Sequence, residues 1–421
     1  MNSPTAHRLT RRHWLSHVRD ASAMPAAALA LTSTLGAHQR DLARRRKAAI
    51  MLWMGGGPST IDIWDMKPGQ PAGGPFKAID AGGVQICEHL PLLARQMRHL
   101  AVIRSMSTRE ADHNRGRYYM HTGYVPNPNV EHPSYGAVLA HELVDQRPAL
   151  EIPPFVSVGG SSVGPGFLGM AMAPFVVDSR GQLRNLKAGV KVQRLAQRAE
   201  ALDVIERRFV NQRRGRAAED HMSILHKTLT LMTSNQLAAF KTDGEPASVR
   251  ERYGNTRFGR GCLMARRLVE AGVVFVEVDL GGWDNHGNIF PTLKDNKLPE
   301  LDQGMSALVE DLDQRGMLGD TAIVWMGEFG RTPRINGRAG RDHWARAWSV
   351  VLGGAGMRGG IAIGRTNKDG TQVETEPYSS EDVMATVCRA LGISLQTIYT
   401  SHGGRPMKIA AGGKVIDGLL A

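Results

Sequence analysis

Residues 48–58 read Ala-Ala-Ile-Met-Leu-Trp-Met-Gly-Gly-Gly-Pro, an unbroken apolar run that stops at three glycines and a proline. A run this short has the length of a strand, and its lack of polar alternation means burial on both faces, as inside a parallel sheet. The same pattern recurs at Leu100–Ile103, Val273–Val278, Ala322–Met326 and Trp348–Leu352. Helical patterns lie between the runs, at Ser134–Val144, Val192–Val210, His221–Phe240, Arg257–Glu270, Pro299–Arg315 and Ser380–Leu391. Strands alternating with helices predict an α/β fold, a three-layer α/β/α sandwich around a mostly parallel central sheet. Ligands of such sheets bind beyond the carboxyl ends of the strands.

The chain opens differently. Thr10-Arg11-Arg12-His13-Trp14-Leu15 has the shape of a twin-arginine (Tat) export signal, followed by the uncharged, Ala- and Leu-rich stretch Ala21–Ala37. Residues 1–37 are therefore expected to be a signal peptide handled by the Tat translocase, and the mature protein to be periplasmic or extracellular. The stretch is too short and too weakly apolar to be a permanent membrane span. The formal net charge of +12 is dominated by this end, where nine Arg or Lys within residues 1–47 face only Asp20 and Asp41. About +5 remains for the rest, which argues against nucleic acid as a partner and suits an anionic small molecule or a carbohydrate ester. Cys87, Cys262 and Cys388 show no CxxC spacing, so neither a disulfide framework nor a thiolate zinc site is expected. The domain is expected to span 48–420, with a charged helical insertion at about 180–260 marked by Arg194, Arg198, Arg207, Arg208, Arg213, Arg214 and Arg216.

Three polar clusters stand near predicted strand ends. Gly281-Gly282-Trp283-Asp284-Asn285-His286-Gly287 follows the Val273 strand; Gly327-Glu328-Phe329-Gly330-Arg331-Thr332-Pro333 follows Met326; Gly340-Arg341-Asp342-His343-Trp344 precedes the Trp348 strand. Together Asp284, His286, Glu328, Asp342 and His343 form a mixed oxygen and nitrogen set suited to a divalent metal ion, Zn, Mn, Fe or Mg. Alternatively each carboxylate pairs with a nearby Arg and each His caps a loop. The glycines at 55–57 could cradle an anion with backbone amides or simply supply a tight turn. No GxSxG elbow, Walker loop, Rossmann fingerprint or HExxH is read, which disfavours the usual esterase, NTPase, dehydrogenase and zincin classes.

GGPSTIDIWDMKP near the start, then HNRGRYYMHTG, GWDNHG, GEFGRTP, GRDHW and finally GGRP resemble the bacterial domain of unknown function 1501 family, over about residues 9–420. That family commonly carries Tat signals and is grouped with the alkaline-phosphatase-like superfamily, so the resemblance implies that fold. His113-Asn114-Arg115-Gly116-Arg117, ten residues before Gly123 of Thr122-Gly123, is similar in spacing to the sulfatase C-x-P-S-R stretch. The comparison implies His113 at the nucleophile position and Arg117 as the arginine supporting the reacting group. GEFG is similarly compared with S-D-N-G, Glu328 standing for a metal-binding Asp and Phe329 replacing a ligand outright. The chain departs from the hydrolases by having Gly55-Gly56-Gly57 where an Asp ligand follows the first strand, and no Ser, Thr or formylglycine at the nucleophile position. Ser59, Thr60 or Asp62 are candidates to compensate. Cys87, in Ile86-Cys87-Glu88-His89, lies outside any C-x-P-S-R context.

The expected function is that of an exported metal-dependent hydrolase acting on a phosphate or sulfate ester. Its metal site would draw on Asp284, His286, Glu328, Asp342 and His343, with His113, Arg117 and Arg331 catalytic and Ser59 and Arg341 on the substrate. The alternative is a non-catalytic anion- or carbohydrate-binding protein of the same fold. His113 itself could ligate metal, act as a base, form a phosphohistidine, or merely sit bonded to Asp112 at a helix start.

Overall fold

The Ala48 run becomes the fully buried strand β1 (Ala48–Trp53), with Ile50 and Leu52 packed on one face of a sheet and Ala49, Met51 and Trp53 on the other. Both faces are apolar because both are covered, which is why the run lacks alternation. The computed structural model describes residues 47–183 and 227–420 continuously, with isolated positions between 194 and 224. The expected signal peptide and most of the insertion before residue 227, including most of the expected Val192–Val210 helix, thus lie outside the described residues. Lys47–Ala421 forms one compact unit.

After β1 come the hairpin β2 (Ala78–Asp80) and β3 (Gln85–Cys87), then β4 (Leu100–Met106), β5 (Phe155–Val158) and β6 (Phe175–Val177). They are followed by β7 (Phe275–Asp279), β8 (Thr321–Met326), the short pair β9 (Gly330–Arg331) and β10 (His343–Trp344), β11 (Trp348–Gly354) and β12 (Ile361–Ile363). The pair β13 (Ile398–Thr400) and β14 (Pro406–Lys408) ends the series. The main sheet has eight strands in the order β12-β4-β11-β8-β1-β7-β5-β6. Every neighbouring pair is parallel except those made by β11, which runs antiparallel to both β4 and β8.

Helices Arg257–Glu270 and Leu298–Gln314 cover one face, while His113–Thr122, Tyr135–Leu143 and Ser380–Ala390 cover the other. The fold is therefore the α/β/α sandwich with a mostly parallel sheet. The helix starts follow local chemistry: Thr256 accepts from Gly259 N, Ser379 and Asp382 form a capping box, and Asp112 accepts from Asn114 N and Arg115 N. The expected His221–Phe240 helix is broken at Ser234, whose hydroxyl accepts from Gln236 N and starts a 3-10 turn instead. Strands β5, β6 and β12 escape the sequence reading because each spans only four residues or fewer. Cys87, Cys262 and Cys388 are buried, unpaired thiols.

The reversal of β11 decides where the site lies. An antiparallel strand must begin at the edge where its neighbours end, so the chain from Met326 to Trp348 never crosses the sheet. Both GEFGRTP and GRDHW therefore stay at the carboxyl edge, and β9 pairs with β10 to hold His343 opposite Arg331.

Candidate metal centre

Four loops meet above the ends of β1, β7 and β8. Gly56 and Gly57 adopt φ of 111° and 68°. A Cβ at Gly56 would stand 2.6 Å from Asp284 N and 2.8 Å from Trp283 N, so only glycine lets the 281–287 loop close onto this turn. Gly340 is equally constrained, since its Cβ would lie 2.1 Å from His286 C. These contacts bring Asp284, His286 and His343 together, and the His113–Thr122 helix adds His113 at its first residue.

The centre of the cluster is Asp284 Oδ1. It lies 3.3 Å from His113 Nε2, 3.0 Å from His286 Nε2 and 3.4 Å from His343 Nε2, and it accepts from Arg331 Nη2 at 2.6 Å. Each imidazole is engaged through its other nitrogen. His113 Nδ1 meets Glu328 Oε1 at 2.6 Å, His286 Nδ1 meets Asp342 Oδ1 at 2.8 Å, and His343 Nδ1 meets the Ala111 carbonyl at 2.8 Å. A carbonyl or carboxylate oxygen only accepts, so these Nδ1 atoms carry the protons of the neutral rings and the Nε2 lone pairs face inward. His286 Nε2 and His343 Nε2 lie 3.2 Å apart, and Arg331 Nη1 stands 3.4 Å from the same His286 nitrogen. His113 Nε2 is buried and has no hydrogen-bond partner. A ligand atom from each of His113, Asp284 and His343 falls within 4.8 Å of the others, the spacing of groups able to share one ion.

The predicted residues thus divide by role. Glu328, 3% exposed at its side chain, stands behind His113 and also accepts from Gly56 N at 2.9 Å. That amide is therefore committed to Glu328 rather than to an anion. Asp342 stands behind His286, and Asn336 Nδ2 donates to the same Asp342 oxygen. Phe329 fills the remaining space, its ring 5.1 Å from that of His113 and 4.8 Å from that of His343. Arg331 is fully buried and donates to the Gly57 carbonyl at 2.7 Å, to the Gly56 carbonyl and to Asp284. It ties the glycine turn to the 281–287 loop.

Ser59 and Arg341 are drawn away from the cluster. Arg341 makes a bidentate pair with Asp62, 2.8 Å on each arm, and Ser59 Oγ donates to the same carboxylate at 2.6 Å, all three side chains being buried. Arg117 reaches the Ser161 carbonyl instead. His113 is not the partner of Asp112, whose carboxylate caps the helix backbone.

Charge follows geometry. Burial alone would raise the Asp284 carboxyl, but Arg331, His113 and His286 outweigh it and bring it down to about 2. The hydrogen bond to Glu328 pushes the His113 imidazole above its ordinary value. Asp342 falls below the usual carboxylate range, chiefly through its bond to His286.

The model of one family, described as protein of unknown function (DUF1501), matches residues 46–420. The chain belongs to the DUF1501 family. No curated relative matches this DUF1501 chain. Among solved structures it is similar to a sulfatase from Pseudoalteromonas sp., at 13% identity and a TM-score of 0.40 over 87% of this chain and 71% of that one. It is also similar to the lipoteichoic acid synthase LtaP from Listeria monocytogenes, at 10% identity and a TM-score of 0.38 over 83% and 72%. An alkaline phosphatase from the Antarctic bacterium TAB5 matches at 13% identity and a TM-score of 0.33 over 82% and 98%. In this DUF1501 chain the placement of Glu328 behind His113 and of Asp342 behind His286 was not legible beforehand, because those histidines stand 215 and 56 residues away along the chain.

Proposed function

We propose that His113, Asp284, His286 and His343 hold a divalent metal ion in an exported hydrolase acting on phosphate or sulfate esters. The observation that carries this reading is the convergence of three Nε2 lone pairs on one carboxylate oxygen, each ring fixed from behind by an acceptor at Nδ1. Carboxylate or carbonyl behind a ligating histidine is the usual outer shell of a metal site, since it sets the tautomer and raises ligand basicity. Three imidazoles and one carboxylate suit Zn, Mn or Fe better than Mg, which favours oxygen ligands. A bound metal would polarise the ester oxygen and lower the pKa of an attacking water.

The protein's own residues then orient the site. Glu328 and Asp342 hold the tautomers of His113 and His286, Arg331 keeps Asp284 ionised and facing inward, and Phe329 excludes water from one side of His113. Arg331, Arg341 and Ser59 are occupied by protein partners, which supports giving the substrate's charge to the metal rather than to a guanidinium. Export rests on the twin-arginine motif; among the described residues no helix is long and apolar enough to cross a membrane.

Metal analysis of the purified mature protein tests the site. About one equivalent of a transition metal is expected, falling below about a tenth in His343→Ala with the fold retained. A metal-free wild type that gains no thermal stability from added Zn, Mn or Fe would sink the reading. Turnover in a screen of phosphate and sulfate esters, abolished by the same variant, separates hydrolase from binding protein.

A further inference from the structure

Outside the metal centre the strand β7 buries a carboxylate of its own. Glu277 interrupts the apolar strand β7, and its side chain is 1% exposed against that of His121 at 2%. His121 lies two helical steps of four residues beyond His113, on the same face as Arg117. Its Nδ1 is 2.8 Å from the Arg117 carbonyl, an acceptor, so Nδ1 carries a hydrogen. Its Nε2 is 3.3 Å from Glu277 Oε1. That nitrogen faces the carboxylate oxygen and helps to keep it in place. A buried carboxyl inside a sheet is costly unless well partnered, and its other partner is a hydroxyl: Ser162 Oγ donates to Glu277 Oε2.

Ser162 is partly exposed on the loop that follows β5, at the carboxyl edge of the sheet. Gly160-Ser161-Ser162-Val163-Gly164 has the G-x-S-x-G spacing, which corrects the expectation that the chain lacks one. The spacing by itself carries little here. Ser162 is not in the left-handed region, and only the 3-10 turn Gly166–Leu168 follows. What distinguishes it is the base beneath: Gly160 packs so closely on Asp279 that a Cβ would stand 2.9 Å from its side chain, and this holds the serine loop down on β7.

We propose that Ser162 is a nucleophile with Glu277 as its general base, His121 keeping that carboxylate oriented, and that this loop accepts uncharged carboxylic esters. Asp279, at the end of β7 and packed against Gly160 of this loop, opposes anionic substrates. In the reaction Ser162 Oγ bonds to the ester carbon as its proton passes to Glu277 and the carbonyl π pair moves to oxygen. Collapse breaks the bond to the leaving alkoxide, which takes the proton from Glu277; water then frees the acyl group by the same steps. Arg117, whose guanidinium rests on the Ser161 carbonyl, supplies a cation one residue from the nucleophile. The site does not depend on the metal.

Incubation of the mature protein with 4-nitrophenyl acetate and with diisopropyl fluorophosphate, followed by peptide mass mapping, tests it. Acylation or phosphorylation of Ser162 is expected, unaffected by prior chelation of metal and about 100-fold slower in Glu277→Gln. No adduct on Ser162 with either reagent overturns the proposal, as does labelling of Glu277→Gln at the wild-type rate. Should that variant not fold, the pH profile of wild-type labelling decides. A rise through one carboxylate-like titration supports Glu277 as base, and a rise confined to strong alkali, as for an unassisted hydroxyl, refutes it.

Discussion

At the scale of single residues, Arg331 does more than its sequence position suggests. A guanidinium offers five N–H groups in a plane, and here they join two glycine carbonyls to Asp284 at once. Lysine would keep the charge and lose the fork. Arg331→Lys is therefore expected to lower metal affinity by roughly 10–100-fold, the usual cost of removing an outer-shell partner, read by competition with a chromogenic chelator. Wild-type affinity in this variant would mean that the Gly56 turn positions Asp284 without Arg331. Glu328 shows the converse limit on reading residues singly: its nature as a carboxylate near the end of β8 was evident, its service to His113 Nδ1 was not.

At the scale of elements, the contact between helices Arg257–Glu270 and Leu298–Gln314 is built around a buried cation. Arg266 lies 2.8 Å from Glu245, 2.6 Å from Glu270 and 2.9 Å from Asp311, with its own side chain 1% exposed. Removing one member of a buried network leaves the others unpaired in a poor solvent for charge. Arg266→Met is expected to cost about 3–5 kcal/mol in urea unfolding, and adding Asp311→Asn should recover part of it. A loss below about 1 kcal/mol would show that water reaches the cluster and screens it. The short helix Pro91–Gln96 depends on a distant element too: Asp302 accepts from Leu92 N and Leu93 N at 3.1 and 2.7 Å. No local sequence signal marks that cap, because the carboxylate comes from some two hundred residues away.

At the scale of the whole molecule, depressed carboxylates set the acid limit of stability. For Glu245 and Asp311 burial opposes ionisation, but bonds from Arg266 and Arg267 in one case, and from Arg315 with the charge of Arg266 in the other, overcome it and hold both below the usual range; Asp284 lies at about 2. A lowered folded pKa contributes stability that is complete above the ordinary carboxylate value of about 4 and is lost as pH falls through the folded value. Unfolding free energy of the metal-free protein should therefore fall steadily from about pH 4 toward pH 2, and a flat profile in urea melts across that window would contradict these pairings. The sequence by itself determined the sandwich, because a fully buried strand must be apolar on both faces and a covering helix must repeat near 3.6 residues, and both rules leave a mark on neighbouring positions. It also determined that three polar clusters stand near strand ends, where a parallel sheet exposes its ligand edge. Only the tertiary structure decided which groups face inward, since a histidine's role depends on which ring nitrogen meets an acceptor, and that acceptor is Ala111 for His343 and Glu328 for His113. It alone joined Ser162, Glu277 and His121, because a hydrogen bond is made between atoms a few ångströms apart whatever the length of chain between them.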